Sequence, residues 1–461
     1  MYDRQTTIDL SRTITRMTLP ILVEQFFIVL MGVVSTMLVS NIGRDAVSAV
    51  GNIDVINNIM ISVFSSLAIG GTILVAQFSG RGDTRSASRA ASQAMMASVV
   101  LSLGVTIIIY FSQHGLVEAL YGKAEPIVRQ NSLDYLRIVV WSYPPLALAT
   151  TAFGLLRGNG NMRAPMIISI IMNLANILMS SVLIYGFKLD LGWAMVNITG
   201  RGVTGAAIGL TLARLLGFVL AIVMISKSEL AFSFAMNSFW RVEKKMLNTI
   251  LFLGVPAGFE QLMFNGGKLI VQIFIVRMGT AALAANSISN SLAAMATLPT
   301  IAMSMALTTL VGQLVGRGDK IAAKKLLTFA LPFSFVILFV MSAVALPLIQ
   351  PIIGMFTKDV ATRHEALIVM VIYLIAQPFL WSASFALPAG FRGAGDVRYQ
   401  LTVTMISMWA LRIGLGYILT VVLHVGLIGI WIAMLCDWAL RALLFSLRLR
   451  SGRWLRHSLI Q

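Results

Sequence analysis

Two carboxylates draw attention because of where they lie. Glu24 and Glu260 each sit inside a long apolar run, four residues after a proline (Pro20, Pro256) and directly before a glutamine (Gln25, Gln261). A charged side chain at the centre of a bilayer costs about 2.5–3.5 kcal/mol on insertion scales. Burial favours the neutral form of a carboxylic acid, so an acid in such a place can take up a proton or a cation on one side and release it on the other. Each proline removes a helical hydrogen bond and can bend the helix beside the acid. The blander reading is that each glutamate bonds a glutamine or a neighbouring helix as interhelical glue. Lys268 follows Glu260 by eight residues, two turns on along one face. It is a counter-ion for Glu260, a contact for an anionic solute, or a side chain reaching for the interface. Ser35, Asn173, Asn176, Asn265 and Gln272, with Gln25 and Gln261, are the neutral polar side chains expected to line a cavity.

Other chemistry is poorly supported. His114, His364, His424 and His457 are scattered without metal-ligand spacing, so no metal is expected, and the single Cys436 excludes an internal disulfide. Arg157-Gly158-Asn159-Gly160 lacks the third glycine of a dinucleotide fingerprint, and no Walker loop is present, so no cofactor or nucleotide is expected. The clusters of His, Asp and Ser that hydrolysis or group transfer needs are missing, which argues against an enzyme.

The elements that must hold these residues are membrane helices. The chain has 461 residues, 58% hydrophobic and only 11% charged, with mean hydropathy +0.86; soluble domains carry about 25% charged residues. Apolar runs suited to helices of about 20 residues fall near 14–39, 47–77, 90–112, 133–156, 164–186, 202–226, 247–276, 280–313, 326–349, 366–391, 400–422 and 425–448. The expected fold is an all-α integral membrane protein with twelve transmembrane helices. The net charge of +17 does not indicate nucleic acid, because the basic residues cluster between apolar runs. The two tails and the loops on their side hold well over twice as many Lys and Arg as the opposite loops, which places both termini in the cytoplasm. Trp193 and Trp454 are expected as interfacial anchors. Aromatics such as Tyr143, Phe264, Tyr373 and Trp381, with 26 Met, are expected to supply an adaptable cavity wall.

Internal repetition organises the helices. Gln77-Phe78-Ser79-Gly80-Arg81-Gly82-Asp83 returns as Gln313-Leu314-Val315-Gly316-Arg317-Gly318-Asp319, and Arg157-Gly158-Asn159-Gly160 returns as Arg392-Gly393-Ala394-Gly395. The offsets are 236 for Pro20/Pro256, 236 for Gln77/Gln313 and 235 for Arg157/Arg392. A six-helix repeat crosses the membrane in the same direction twice. The expected division is an N-terminal lobe over 1–226, a polar cytoplasmic linker over 227–246 that includes Glu229 and Arg241, and a C-terminal lobe with its basic tail over 247–461. The loop arginines are expected at the cytoplasmic interface, and Asp83 and Asp319 as caps of the helices that follow.

Taken together, the Pro20-to-Gly43 helix ending Ser35-Thr36-Met37, the Gln77-to-Asp83 loop, the doubled Arg-Gly-x-Gly loops and Gly202-Val203-Thr204-Gly205 resemble the multidrug and toxic compound extrusion family. The resemblance covers essentially the whole chain. It implies two six-helix lobes in a V shape around a cavity, and efflux of small amphipathic or aromatic solutes from a bacterial inner membrane by a monomer. Coupling would be to H+ or Na+. Family members often carry an aspartate where this chain has Ser35, and Asn followed by Asp where it has Asn176 and Ser180. Glu260 matches a glutamate of sodium-coupled members, but the acid that accompanies it is replaced near Leu380. One lone acid per lobe favours protons over sodium. A lipid-linked glycan flippase of related architecture is the alternative; it would need several basic residues in the cavity.

Overall fold

The computed structural model describes residues 4–190, 195–227, 242–456 and 459. Trp193, His457 and the linker residues Glu229 and Arg241 lie outside the described residues. Twelve helices are long and apolar enough to cross a membrane: α1 (Arg4–Ser40), α2 (Arg44–Arg81), α3 (Thr84–Tyr121), α4 (Pro126–Gly158), α5 (Arg163–Tyr185), α6 (Gly202–Lys227), α7 (Lys244–Val276), α8 (Thr280–Gly316), α9 (Lys320–Phe356), α10 (Val360–Ala394), α11 (Val397–Val422) and α12 (Leu427–Ser451). A short antiparallel hairpin, β1 (Gly186–Asp190) and β2 (Met195–Thr199), joins α5 to α6 in the register Gly186 to Thr199. The hydropathy pattern shows only a gap there.

Most helices outrun their apolar stretches. The expected third helix begins at 90, yet α3 begins at Thr84, because Asp83 Oδ1 accepts from Ser86 N at 2.9 Å. Asp319 caps α9 in the same way through Ala322 N at 2.9 Å. Apolarity marks where a helix meets lipid; capping marks where it ends. Pro20 and Pro256 both lie inside continuous helices. Elsewhere the regular helical repeat is interrupted. A 3₁₀ turn at Val140–Ser142 precedes Pro144 and Pro145 in α4, and π turns occupy Ser382–Ala386 of α10 and Met408–Leu415 of α11.

By internal contact the chain forms two compact units, one of residues 1–22, 76–82 and 259–461, the other of 23–75 and 83–258. In the second unit the core runs through Ile53, Phe64, Leu136, Tyr143 and Ala207. In the first, one cluster gathers Ile14, Leu307, Leu327, Phe391, Phe445 and Trp454, and another gathers Leu338, Tyr373, Trp381 and Trp431. Trp454 is therefore no interfacial anchor. It is fully buried, its ring centroid 5.4 Å from that of Phe391, because the chain turns at Gly452 (φ 65°) and folds the tail back onto the helices. Tyr143 and Tyr373 are likewise core residues rather than an open wall.

Small residues let backbones meet. In the second unit Gly254 and Gly258 of α7 lie against Ser66 of α2, and Gly70 lies against Ile250; this is the small-xxx-small spacing that draws membrane helices together. In the first unit a reciprocal contact joins the ends of α2 and α8. A Cβ on Gly80 would overlap the Gln313 backbone, and one on Gly316 would overlap the Gln77 backbone. Such reciprocity is what a two-fold relation between repeats produces. Gln77 Nε2 also donates to the Gly393 carbonyl at 2.9 Å. Gly80→Ala should therefore lower stability by about 1–3 kcal/mol through overpacking. Gly115→Ala, in a mid-helical site with open space around it, should raise it by about 0.5–1 kcal/mol. Melting of the purified protein in detergent reads both, and equal shifts would contradict the packing.

Candidate functional site

Glu24 is 2% exposed. Its Oε1 accepts from Arg157 Nη2 at 2.5 Å. Arg157 ends α4, and the pairing corrects the expectation that it merely anchors a loop at the interface: its side chain is only 14% exposed. The other glutamate oxygen, Oε2, is buried with no hydrogen-bond partner. Gln25 takes no part in holding this carboxylate.

Glu260 is held differently. Its Oε2 accepts from Gln400 Nε2 at 2.8 Å and its Oε1 from Thr404 Oγ1 at 3.0 Å. Gln400 and Thr404 stand four residues apart and share one face of α11. Arg392 is within electrostatic reach of Glu260, but among the described residues no Lys or Arg comes within ion-pair distance. Gln261 does not hold Glu260, and Lys268 does not serve as its counter-ion.

The expected neutral polar residues are brought together in part. Asn176 Nδ2 donates to Ser35 Oγ at 3.5 Å, and Ser180 Oγ donates to Asn176 Oδ1 at 3.1 Å. That trio contains no charge. Asn173 turns back along its own helix, donating to the Ser169 carbonyl at 2.8 Å. Asn265 and Gln272 are half-buried on α7.

Two clusters exceed what the sequence reading assembled. In the second unit Tyr143 Oη donates to Asn57 Oδ1 (3.1 Å) and Asn57 Nδ2 to Asp54 Oδ1 (3.2 Å). Buried Arg214 donates to Ser142 Oγ at 2.6 Å and lies within electrostatic reach of Asp54, Tyr135 and Tyr143. In the first unit Asp437, fully buried, faces two guanidiniums. Arg441 Nε lies 2.7 Å from its Oδ1 in an i,i+4 pair, and Arg412 Nε lies 3.3 Å from its Oδ2. Three cations surround the Phe264 ring, with Lys268 Nζ 4.8 Å from its centroid, Arg412 Cζ 5.3 Å and Arg441 Cζ 5.9 Å. Asp54, Arg157, Gln400 and Thr404 were missed because their roles arise from long-range contacts. For Asp54 the available signal was a charge within an otherwise apolar window; Gln400 and Thr404 carry none.

Removing one member of a buried ion pair leaves the other uncompensated, at a cost of about 3–5 kcal/mol. Arg157→Met should destabilise the protein by that order, and the double variant Glu24→Gln/Arg157→Met should recover a large part of it. A thermal-shift cycle in detergent tests this; simple additivity of the two substitutions would refute the pairing.

The MatE family model matches residues 20–182 and again 256–418. The chain is 27% identical to the uncharacterized transporter YisQ of Bacillus subtilis over 95% of its own length and 94% of the relative's. It is 22% identical to a probable multidrug resistance protein NorM of Thermotoga maritima, covering 98% and 95%. It shares its fold, with a TM-score of 0.86 at 19% identity and coverage of 96% and 97%, with the outward-facing conformation of a multidrug resistance MATE transporter of the MOP superfamily. Twelve membrane-length helices, a sequence pattern that recurs after 236 residues and a family match to both copies lead to one assignment: the chain is a multi-pass membrane protein belonging to the multidrug and toxic compound extrusion family of transporters, not an enzyme.

Proposed function

We propose that this chain is a proton-coupled antiporter that exports small amphipathic or aromatic solutes by alternating access. Two six-helix lobes, 1–226 and 247–461, joined by the segment 227–246, would move against each other. A single chain contains both copies of the repeat, which supports a monomer. The excess of Lys and Arg on one side supports cytoplasmic termini in a bacterial-type inner membrane.

The observation that carries the coupling is the setting of Glu260. Its carboxylate has two neutral donors and no cation in contact, so a proton can bind there without stranding a positive charge. Glu24 is a weaker carrier. Its Oε1 is committed to Arg157, and a proton could enter only at the unpartnered Oε2. Pro20 and Pro256, one turn before each acid, each remove a helical hydrogen bond and so give points at which protonation can bend the helix. Ser35, Asn176 and the remaining neutral polar side chains are proposed to contact solute.

A second reading has one observation in its favour. Gln400 Oε1 is buried with no partner and belongs to the side chain that already binds Glu260. An amide oxygen, a hydroxyl and a carboxylate are oxygen donors suited to Na+, as they are to other hard cations.

Transport by inverted vesicles under an imposed pH or sodium gradient separates the two. Proton-driven export should fall at least tenfold in Glu260→Gln, with no response of the wild type to sodium alone. Export driven by sodium alone would replace the proton reading. Proton-driven export that survives the substitution would remove Glu260 from the mechanism.

A further inference from the structure

The cations around Phe264 are unbalanced. Arg412 and Arg441 share one carboxylate, Asp437, while Lys268 touches the ring alone. Glu260 lies two turns away along α7, about 12 Å at 1.5 Å per residue. Among the described residues Lys268 has no acid within ion-pair distance, and buried Arg412 Nε lies 3.3 Å from Asp437 Oδ2 as an ion pair without a well-aligned hydrogen bond, on a carboxylate that Arg441 already grips. Uncompensated charge at membrane depth is costly, so two excess positive charges beside one ring need a counter-charge from outside the chain.

Snorkelling does not account for Lys268. The nearer end of α7 is Val276, eight residues ahead, and a snorkelling ammonium would reach for it. Instead the side chain folds back over Phe264, one turn toward the middle of the helix. Arg412 reaches the same ring from α11. Lys268 itself is exposed and Phe264 half-buried, so the site is open on the Lys268 side and closed on the Arg412 side. Arg441 is spoken for: its Nε bonds Ser407 Oγ at 2.8 Å and its guanidinium grips Asp437.

We infer that Lys268 and Arg412, with the Phe264 ring between them, form a binding site for aromatic anions, the class of solute carrying a carboxylate, sulfonate or phosphate on a planar ring system. The anionic group bridges the ammonium and the guanidinium, and the ring system packs beside Phe264. This rests on the transporter reading and narrows its substrate class, since a cationic solute would be repelled at the same place.

The test uses two probes of one ring system and opposite charge, fluorescein (anionic) and rhodamine 123 (cationic). Equilibrium binding is measured on the full chain in proteoliposomes, with protein-free vesicles subtracted. Fluorescein should bind saturably. Lys268→Gln should weaken that binding at least tenfold, and Lys268→Glu should transfer the preference to rhodamine 123. Lys268 is exposed, so these variants are expected to fold, and Lys268→Arg should retain fluorescein binding. The inference is overturned if Lys268→Gln binds fluorescein as the wild type does, if the wild type binds only rhodamine 123, or if it binds neither. No gradient is applied, so any of those results leaves the coupling experiment on Glu260 to be judged separately.

Discussion

A charge enclosed by apolar helices must be paired, hydrogen-bonded or put to use, and the described residues divide along that line. Asp437 sits between Arg412 and Arg441, and Asp396 accepts from Arg448 Nε at 2.9 Å. Glu24 is closed by Arg157 on one oxygen only. Glu260 has hydrogen bonds but no contacting cation, and Lys268 has a ring but no acid. The fully paired groups hold helices together. The incompletely paired ones remain available to an ion or a solute, which is why the functional reading concentrates on them.

The repeat explains why equivalent glutamates are held so differently. Glu24 and Glu260 match across 236 residues, and Arg157 and Arg392 across 235. Carrying the second offset forward, Gln400 matches Pro165 and Thr404 matches Ser169. Proline has no donor to offer, and Ser169 is engaged with Asn173, whose Nδ2 approaches its carbonyl at 2.8 Å and its hydroxyl at 3.4 Å. Neither position donates to Glu24, whose carboxylate is held by the arginine instead. In the other copy Gln400 and Thr404 occupy the carboxylate, and Arg392 stays beyond contact. Two side-chain differences thus separate an acid locked by an arginine from the acid proposed to exchange a proton.

Much of this architecture was legible in the sequence because hydropathy, capping and repetition are local or periodic signals. The twelve apolar runs located the helices, and Asp83 and Asp319 do cap α3 and α9. The Asp437–Arg441 pair has the i,i+4 spacing that lets two side chains meet on one helix. The lock on Glu24 was not legible, because Arg157 lies 133 residues away and reads locally as a basic loop residue. Trp454 misled for a similar reason: near a basic tail it has the composition of an interfacial anchor, and only the turn at Gly452 returns it to the core. The hairpin between α5 and α6 alternates apolar and polar residues over only four positions per strand, Phe187 to Asp190 and Val196 to Thr199, a signal too short to stand out between two long apolar runs. Gly254 and Gly258 have the spacing of a close-packing pair, but spacing alone does not name Ser66 as what they pack against.

The two proposed uses of α7 constrain each other. At about 12 Å and an effective dielectric of about 20, a charged Glu260 and an anion beside Lys268 would repel by about 1.4 kcal/mol, roughly tenfold in affinity. By direct electrostatics, then, protonating Glu260 strengthens anion binding, and by reciprocity the anion strengthens proton binding. Antiport needs the opposite sign, since proton and solute must favour different states. An exporter of aromatic anions with this acid therefore cannot couple through the field of Glu260 alone. The coupling has to pass through the conformation of α7, the helix that carries Pro256, Glu260, Phe264 and Lys268. In that scheme protonation removes the charge that strengthens the bonds from Gln400 and Thr404 of α11 to Glu260, and α11 also carries Arg412. Releasing that hold lets the two helices separate, which parts Lys268 from Arg412 and dismantles the anion site by more than the tenfold that electrostatics adds.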